Sequence, residues 1–513
     1  MKRAVRRGVV IPAALLLPLS LGGVAMAATD PATPPVFTKT AVDPTLTGAA
    51  FVSTADVTGD VRPELVASQF GPYAGPAPQG PGTVQLYSNA AKNKQGGNVD
   101  SWTRTTVVPT TAGLYGPNQT TLSDVDGDGD VDVILPSGNF FQSTLATVPG
   151  FNHVGSGALT WWEQRSNGAE WLRHDIIENS GFDGPATADF TFDPDGPFGP
   201  APSVTIPGTT NRNYSYHGVQ HADLDGDGIK DLVTVGEDGG NPSSGTDDLV
   251  ATQFLKGLGG GEFAAPVTLS SLGGSLPVVN DVNSDGKLDI VTAQFFGNVG
   301  GQPFGPPSPF RSIANSSFVW LQQVDDGIAG LTADDFAARK IGDNQGPSFQ
   351  IVPVANFRGD GKTVWIGTNH TNKNPVPPLT FPPFSLYPEP AVYEFTPPTD
   401  PTANPNTPWA VTKLTGASAF TVTGGAGQAA PGGVGAGDLD GDGDIDLAVS
   451  GDGDRKVYWL EQKGNGSFAL NQMPGSSGFG QAGGNLVVDL NRDGKNEAVW
   501  GSFDAGQVAL WQR

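Results

Sequence analysis

The sequence repeats a nine-residue acidic frame whose side chains could hold a metal ion. Its clearest copy is Asp438-Leu-Asp440-Gly-Asp442-Gly-Asp444-Ile-Asp446, with Asp at positions 1, 3, 5 and 9 and glycine at position 6. A hard cation such as Ca²⁺ takes roughly six to eight oxygen ligands, and closely spaced carboxylates supply them. The glycine allows the sharp turn that folds these ligands around the ion. The frame therefore predicts a calcium-binding loop.

The same frame recurs along the chain, in residues 124–132, 223–231, 281–289 and 489–497. With the first copy, this gives five loops with oxygen ligands at four positions. The predicted ligands are Asp124, Asp126, Asp128, Asp132, Asp223, Asp225, Asp227, Asp231, Asp281, Asn283, Asp285, Asp289, Asp438, Asp440, Asp442, Asp446, Asp489, Asn491, Asp493 and Glu497. We expect their metal to have a structural role.

Two further copies of the frame are degenerate. Residues 56–64 keep Asp56, Asp60 and Glu64 as predicted ligands but have Val61 in place of the glycine. Residues 356–364 carry a cation at position 3 and an apolar residue at position 9, so we expect no metal there. The sequence thus predicts about five or six calcium sites in an array of seven loops.

Strand-like segments surround each loop. A short segment such as residues 485–488 precedes it, and an apolar, β-branched run such as residues 133–135 follows. An aromatic-rich segment comes next, as in residues 159–164, and a fourth strand follows a glycine turn. Four antiparallel strands repeated seven times are typical of an all-β, seven-bladed β-propeller.

The chain ends predict how the ring closes. The seventh repeat offers only three strands before Arg513, and residues 36–42 resemble the outer strand at residues 102–108. We therefore expect residues 36–42 to form the outer strand of the last blade, which would leave no unpaired edge there. The propeller would then be one domain spanning residues 29–513.

The loops and their flanking strands resemble the FG-GAP/VCBS repeat family, whose best-known fold is the head of the integrin α subunit. The resemblance covers essentially the whole chain after residue 28. It implies a propeller with calcium in the hairpin between the first and second strands of a blade, on the lower face. The EF-hand shares part of the frame but requires an acid at position 12 and flanking helices, and position 12 here is Val449 in a strand-like run.

The first 28 residues are typical of a secretory signal peptide. Lys2, Arg3, Arg6 and Arg7 precede an apolar run at residues 9–21, and the small residues Ala25 and Ala27 stand at the spacing of a cleavage site. Export by the Sec or the Tat route is compatible with this segment. No later stretch is long and apolar enough to cross a bilayer, so we expect a secreted protein without membrane insertion.

Composition narrows the classes of partner. A net charge of −24 argues against nucleic acid and anionic membranes. The chain has no cysteine, so no disulfide stabilises it outside the cell. We expect a monomer.

Long insertions are predicted on the face opposite the acidic hairpins, because they join second to third strands or one blade to the next. Such loops commonly carry binding sites. The candidate ligand-binding residues there are Phe140, Phe141, Phe304, Phe310, Phe384, Tyr387 and His370. Exposed aromatic side chains suit a glycan ring or a protein surface. The favoured interpretation is therefore a binding or adhesion module for an extracellular glycan or protein.

Catalysis has less support in the sequence. His217 and His221 are four residues apart on a predicted inner strand, hence on one side of it, and are candidates for the channel mouth. No nucleophile elbow, phosphate-binding loop or zinc-protease motif is present. We assign no catalytic residue. The alternative to a binding module is a polysaccharide-acting lyase or hydrolase with its site in the channel mouth.

Overall fold

The fold was analysed in a computed structural model. The structure describes residues 35–71, 73–74, 77–78, 80–89, 99–138, 157–177, 214–237, 250–274, 276–294, 316–325, 330–343, 345–371, 388–404, 407–421 and 429–513. These residues form seven four-stranded antiparallel sheets, together with two short hairpins at Tyr73–Pro78 and Gly257–Phe263. The prediction of an all-β propeller with seven blades is confirmed.

Each sheet is one blade, and its strands follow one another along the chain from the innermost to the outermost. The first strands of blades 1 to 7 are Ala49–Ala55, Thr121–Ser123, Ser215–Ala222, Val278–Asn280, Ser348–Ala355, Val434–Gly437 and Asn485–Val488. The second strands are Glu64–Gln69, Asp132–Pro136, Asp231–Glu237, Asp289–Ala293, Thr363–Asn369, Asp446–Ser450 and Glu497–Ser502.

The third and fourth strands complete each blade. The third strands are Thr83–Asn89, Leu159–Arg165, Val250–Leu255, Ser316–Gln323, Val392–Thr396, Val457–Gln462 and Gln507–Gln512. The fourth strands are Trp102–Val108, Glu170–Ile177, Val267–Ser270, Phe336–Asp343, Ala410–Lys413, Phe468–Gln472 and, in blade 7, Thr38–Asp43 from the beginning of the chain. Each blade contacts the next, and blade 7 contacts blade 1, so the seven blades form a ring.

The ring closes through the strand Thr38–Asp43. It pairs with Gln507–Gln512, with Thr38 opposite Gln512 and Ala41 opposite Ala509. This confirms the predicted closure, although the strand lies two residues later at its start than the predicted 36–42. Val36 is 80% exposed, whereas Phe37 is buried against Trp459 of blade 6 with ring centroids 5.3 Å apart.

The antiparallel order gives the ring two different ends. Every hairpin between a first and a second strand lies at one end, and these hairpins are the seven repeats of the acidic frame. We call this end the hairpin face. The connections from second to third strands and from blade to blade start and finish at the other end, which we call the loop face. The longest of these connections are residues 137–158, 178–214, 294–315 and 370–391.

The hydrophobic core lies between neighbouring blades. Phe318 and Phe395 are fully buried between blades 4 and 5, with ring centroids 4.8 Å apart. Trp500 and Trp511 pack edge to face in blade 7 at 5.1 Å. Burial of a large apolar side chain stabilises a fold by about 1.5–3 kcal/mol, so these interblade layers supply much of the stability that disulfides cannot.

Helical structure is minor in the part of the chain that the structure describes. It consists of the 3₁₀ turns Thr110–Ala112, Ala333–Asp335 and Asp452–Asp454. No helix among these residues has the length and apolar character needed to span a bilayer.

Candidate functional site

The carboxylate at position 9 of the acidic frame is the anchor of each good hairpin. In blade 6, Asp446 accepts hydrogen bonds from the backbone N–H of Leu439 at 3.0 Å and of Gln462 at 2.9 Å. The first donor lies in the hairpin and the second at the end of the third strand. Asp132, Asp231 and Asp289 accept the same pair of bonds in blades 2, 3 and 4. The sheet thus fixes one metal-ligand candidate in each loop.

The carboxylate at position 1 fixes the other end of the loop. Asp438 Oδ2 accepts the N–H of Gly443 at 3.2 Å, and Asp124 Oδ2 accepts that of Gly129 at 3.1 Å. These glycines have φ of 95° and 96°, which disfavours a side chain. The glycine at position 6 therefore acts as the sequence predicted, because it turns the chain so that positions 1, 3, 5 and 9 converge.

Three of the loops bring carboxylates close enough to share a metal ion. Oxygen atoms of the position 1, 3 and 9 residues lie within 4.8 Å of one another in Asp124, Asp126 and Asp132, in Asp223, Asp225 and Asp231, and in Asp438, Asp440 and Asp446. Three carboxylate oxygens of these loops, Asp223 Oδ1, Asp440 Oδ2 and Asp442 Oδ2, are buried and accept no hydrogen bond. Buried polar atoms normally have a partner, so these oxygens fit a hard cation.

Burial also makes these carboxyl groups expensive to ionise. It raises the pKa of the position 9 groups to about 6 in Asp231, about 7 in Glu64, Asp132 and Asp289, and about 8 in Asp446 and Glu497. In Asp440, burial and the charges of Asp442 and Asp438 raise the pKa to about 6. A bound divalent cation would reverse this cost by pairing with the ionised form.

Asparagine replaces the position 3 aspartate in the hairpins of blades 4 and 7. Asn283 donates its amide to Asp285 Oδ2 at 2.8 Å, and Asn491 donates to Asp493 Oδ2 at 3.4 Å. Amide oxygens are also calcium ligands. These loops keep the fold of the acidic frame with one negative charge fewer, and their metal binding stays a prediction.

The degenerate hairpin of blade 1 keeps the fold of the frame at the cost of strain. Val61 takes φ of 81° where the good loops have glycine, a conformation that is unfavourable for a β-branched residue. Glu64 is held by the N–H of Val57 at 2.8 Å and by the hydroxyl of Thr58 at 2.9 Å. Asp56, Asp60 and Glu64 therefore stay candidate ligands of a sixth site.

In blade 5 an arginine takes over the hairpin. Arg358, at position 3, pairs with Glu394 of the third strand and donates to the carbonyl of Gly466 in blade 6 at 3.0 Å. Its guanidinium lies 4.7 Å from the ring centroid of Phe468. Val364 at position 9 is buried and offers no ligand. The arginine links two blades through its own positive charge, in keeping with the expectation that this hairpin holds no metal.

A repeated glutamine completes the hairpin face and was not recognised in the sequence. Gln164 Nε2 donates to the carbonyl of Val57 in blade 1 at 3.0 Å and to that of Val131 at 2.9 Å. Gln462 bonds in the same way to Phe357 of blade 5 and to Ile445. The side chain therefore joins neighbouring hairpins while its backbone holds position 9. The recurring Glu-Gln at the end of the third strand was the available signal.

The predicted pair of channel histidines does not meet. A β-bulge between Tyr216 and Val219 breaks the alternation of the first strand of blade 3. His217 is buried 3.8 Å from Glu237 Oε2 towards the loop face, whereas His221 bonds Ser123 of blade 2 at 2.9 Å near the hairpin face. Burial lowers the pKa of both imidazoles to about 3, so they are neutral at physiological pH.

The third histidine candidate belongs to a buried group at the loop face. His370 donates from Nδ1 to the carbonyl of Pro431 at 2.8 Å, and the same nitrogen is 3.9 Å from Asp452 Oδ2. Asp452 is fully buried, takes φ of 43°, and accepts the N–H of Ala482 at 3.0 Å. Burial raises the pKa of Asp452 to about 8, helped by the charges of Asp454 and Asp504.

We expect Asp452 to make stability depend on pH. Its pKa in the folded chain is above the value near 4 of an unfolded chain. The unfolded chain therefore loses this proton first, and stability falls as pH rises from about 4 to about 8. Asp452→Asn removes the titrating group, and asparagine tolerates the left-handed backbone at this position. The free energy of unfolding of this variant minus that of wild type should therefore be at least ~2 kcal/mol larger at pH 9 than at pH 5. Urea unfolding in constant calcium, with exposed Asp334→Asn as control, measures this. If the free energies of unfolding of wild type and Asp452→Asn change equally with pH, Asp452 does not titrate as described.

The aromatic candidates of the insertions lie outside the described residues. They are Phe140, Phe141, Phe304, Phe310, Phe384 and Tyr387. The predicted signal peptide at residues 1–28 also lies outside them. The roles of these residues stay predictions.

An aromatic cluster that the sequence did not indicate lies at the loop end of the channel. Phe51 of blade 1 and Leu276 of blade 4 are buried in one cluster, with half-buried Phe70 and Phe349 packed against it. Blades 1 and 4 are not neighbours in the ring, so the cluster crosses the channel. Half-buried Phe503 extends it, 5.7 Å from Phe70 between ring centroids. We call this group the mouth cluster.

The family comparison agrees with the repeats seen in the fold. The FG-GAP-like repeat family matches residues 223–292 and 414–500. These segments contain the acidic hairpins of blades 3, 4, 6 and 7. The chain is a β-propeller in which these two segments match the FG-GAP-like repeat. The hairpins of blades 1, 2 and 5 lie outside the matched segments, and the integrin-like details that the resemblance implied stay predictions. No curated protein matches the sequence significantly.

Several solved structures are similar in fold to this propeller. An Agrocybe aegerita lectin that recognises non-reducing terminal N-acetylglucosamine has 13% identity and a TM-score of 0.44, covering 91% of this chain and 86% of the lectin. An α-L-arabinofuranosidase of Fusarium graminearum has 10% identity and a TM-score of 0.41, with coverage of 92% and 97%. The Bacillus licheniformis rhamnogalacturonan lyase has 12% identity and a TM-score of 0.41, and the match covers 95% of this chain and 75% of the lyase. Similarity this low transfers no function.

Proposed function

We propose that the protein is a secreted propeller that calcium stabilises at the hairpin face and that binds a glycan at the loop face. The calcium part is supported by the three carboxylate clusters and their buried, unbonded oxygens. The ion would be held by the side chains at positions 1, 3, 5 and 9 and would neutralise their repulsion. Its role is structural, because these hairpins lie at the opposite end from the loop face.

The mouth cluster is the observation that supports glycan binding. Phe70, Phe349 and Phe503 are half-buried apolar rings at the centre of the loop face. Partly exposed aromatic rings suit the apolar face of a sugar ring. The rigid blades hold these rings in place, so a ligand would not have to order them.

Glycan binding is tested with the chain from residue 29 on an array of plant, fungal and bacterial polysaccharides. We expect binding in calcium and a loss of about tenfold or more for Phe349→Ala and Phe503→Ala, since each removes a stacking surface. Phe468→Ala is the matched control, because this ring is also half-buried but packs on Phe357 next to the hairpins. Equal binding by all variants, or binding to proteins only, would refute the glycan site.

The second candidate is a polysaccharide-acting lyase or hydrolase with its site at the same mouth. The observation that favours it is Asp452, a buried carboxyl whose raised pKa suits a general acid, beside His370. The two functions separate once a glycan is found. Asp452→Asn would abolish the release of new reducing or unsaturated ends by an enzyme while retention of the glycan persists. A binding module would release none of these products in the first place.

A further inference from the structure

In the hairpin of blade 3, a lysine ammonium pairs with two carboxylates of the acidic frame, a contact that the structure does not show in the described hairpins of blades 2 and 6. Leu255 pairs with Leu232, which puts the next residue, Lys256, beside Asp231 at the end of the acidic frame. The Lys256 ammonium contacts Asp225 Oδ2 and lies 2.6 Å from Asp227 Oδ2. These atoms belong to positions 3 and 5 of the loop. A protein cation therefore sits on two of the predicted calcium ligands.

The same two atoms have a different environment in blade 6. The counterparts of Asp225 Oδ2 and Asp227 Oδ2 are Asp440 Oδ2 and Asp442 Oδ2, which are buried and accept no hydrogen bond. Leu460 pairs with Leu447, so the residue in the place of Lys256 is Glu461. In blade 2 this place is taken by Glu163, which pairs with Arg165 and His174. Glu461 pairs in turn with Lys463. The residue at this place in blades 2 and 6 is therefore an acid paired with a cation outside the frame, whereas in blade 3 it is a cation paired with the frame itself.

We propose that Lys256 competes with calcium for the blade 3 hairpin, so that this loop binds calcium more weakly than those of blades 2 and 6. The inference rests on the proposed calcium binding. It adds that the hairpins of blades 2 and 6 bind calcium at lower concentrations than the hairpin of blade 3. Asp223, Asp225 and Asp231 bring oxygens within 4.8 Å of one another, so the loop keeps the geometry of a site. An ammonium and a divalent ion cannot share Asp225 and Asp227 without strong repulsion.

Lys256 can leave the hairpin when calcium arrives. Its side chain is 36% exposed, whereas that of Asp225 is 3% exposed. The flexible stem of a lysine lets the ammonium move into solvent while the carboxylates stay fixed by the sheet. Binding at blade 3 is thus an exchange of one cation for another. The hairpin keeps a positive partner at low calcium, and it takes up the metal only as calcium rises.

Blade 5 shows a further step in the same direction. Arg358 stands within its frame, and Val364 has replaced the anchoring carboxylate. The chain therefore contains hairpins with a fixed protein cation, with a displaceable one, and with neither. In blade 3 the cation comes from outside the frame and leaves all four ligands in place, whereas in blade 5 it stands at position 3 and the ligand at position 9 is missing.

Calcium titration calorimetry on the chain from residue 29 tests the proposal. Lys256→Gln introduces the residue type that blade 4 has at this place, Gln322. We expect one weak site to tighten by about tenfold while the others are unchanged. Asp225→Ala, which leaves no oxygen ligand at position 3, should remove that site in both backgrounds. Lys413→Gln, which breaks an ion pair with Glu389 outside the hairpins, should titrate as wild type.

A second readout covers variants that are poorly folded. In EDTA, Lys256→Gln should melt below wild type, because Asp225 and Asp227 lose their cation; in excess calcium the difference should disappear. Lys256→Arg keeps the charge and should behave as wild type in both conditions. If wild type and Lys256→Gln bind calcium with the same affinities, the inference is wrong and the proposed calcium role stands. If neither binds calcium, the proposed function itself fails.

Discussion

Removal of calcium with EDTA is expected to lower the melting temperature of the chain from residue 29 by more than about 10 °C. Each structural site with a dissociation constant near 10⁻⁴ M stabilises the folded state by about 1.5–2 kcal/mol at 2 mM calcium. Five such sites give a shift of this size in a large domain. Without the ion, the buried carboxyl groups of Asp440 and Asp446 either stay protonated or repel their neighbours.

Two controls separate calcium from other effects of the chelator. Restoring calcium in excess should restore the melting temperature, and magnesium should do so less well because it demands a tighter octahedral geometry. Asp446→Asn should remove part of the calcium-dependent increment, since it alters the anchor of a single hairpin. A melting temperature that EDTA leaves unchanged would mean that the acidic hairpins are not held by metal.

Loss of ring closure is expected to have the second large effect. The strand Thr38–Asp43 ties blade 7 to both of its neighbours: Phe37 packs on Trp459 of blade 6, and Asp43 accepts hydrogen bonds from Tyr87 and Arg104 of blade 1. Deletion of residues 29–43 should therefore prevent cooperative folding, because it exposes the edge of Gln507–Gln512 and opens the core.

A single substitution at the N-terminal strand should cause a loss of stability that can be measured. Phe37→Ala should lower the free energy of unfolding by about 3–5 kcal/mol, the usual cost of truncating a buried phenylalanine. Its matched control is the preceding residue, since Val36 is 80% exposed and Val36→Ala should be near neutral. Urea unfolding in constant calcium measures both. Similar stabilities of the two variants would show that the N-terminal strand does not close the ring.

The repeated hairpins were predictable because their cause is local. In the good frames, position 1, position 9 and the glycine at position 6 bond within nine residues, as Asp438, Asp446 and Gly443 do. Closure was predictable for a related reason, since the strand missing at the C-terminus and the extra one at the N-terminus follow the same alternation. Its bounds moved by two residues because the exposed Val36 precedes the pairing.

Features that depend on contacts between blades could not be predicted in this way. The mouth cluster joins Phe51, Leu276 and Phe349 from three blades, and nothing in their spacing indicates that they meet. Lys256 faces the acidic frame only through the register of the third strand. Both features need the tertiary arrangement that local patterns do not contain. The bulge that breaks the alternation between His217 and His221 is different, because Gly218 within the strand was its available signal.

The number of calcium ions bound by each folded chain is the most direct test of the account. Equilibrium dialysis at millimolar calcium, with Asp446→Asn and Lys256→Gln alongside the wild type, gives this number. Five or six ions per chain are expected, one for each hairpin that keeps its oxygen ligands, with none in the hairpin of Arg358. A folded propeller that binds no calcium under these conditions would contradict the account.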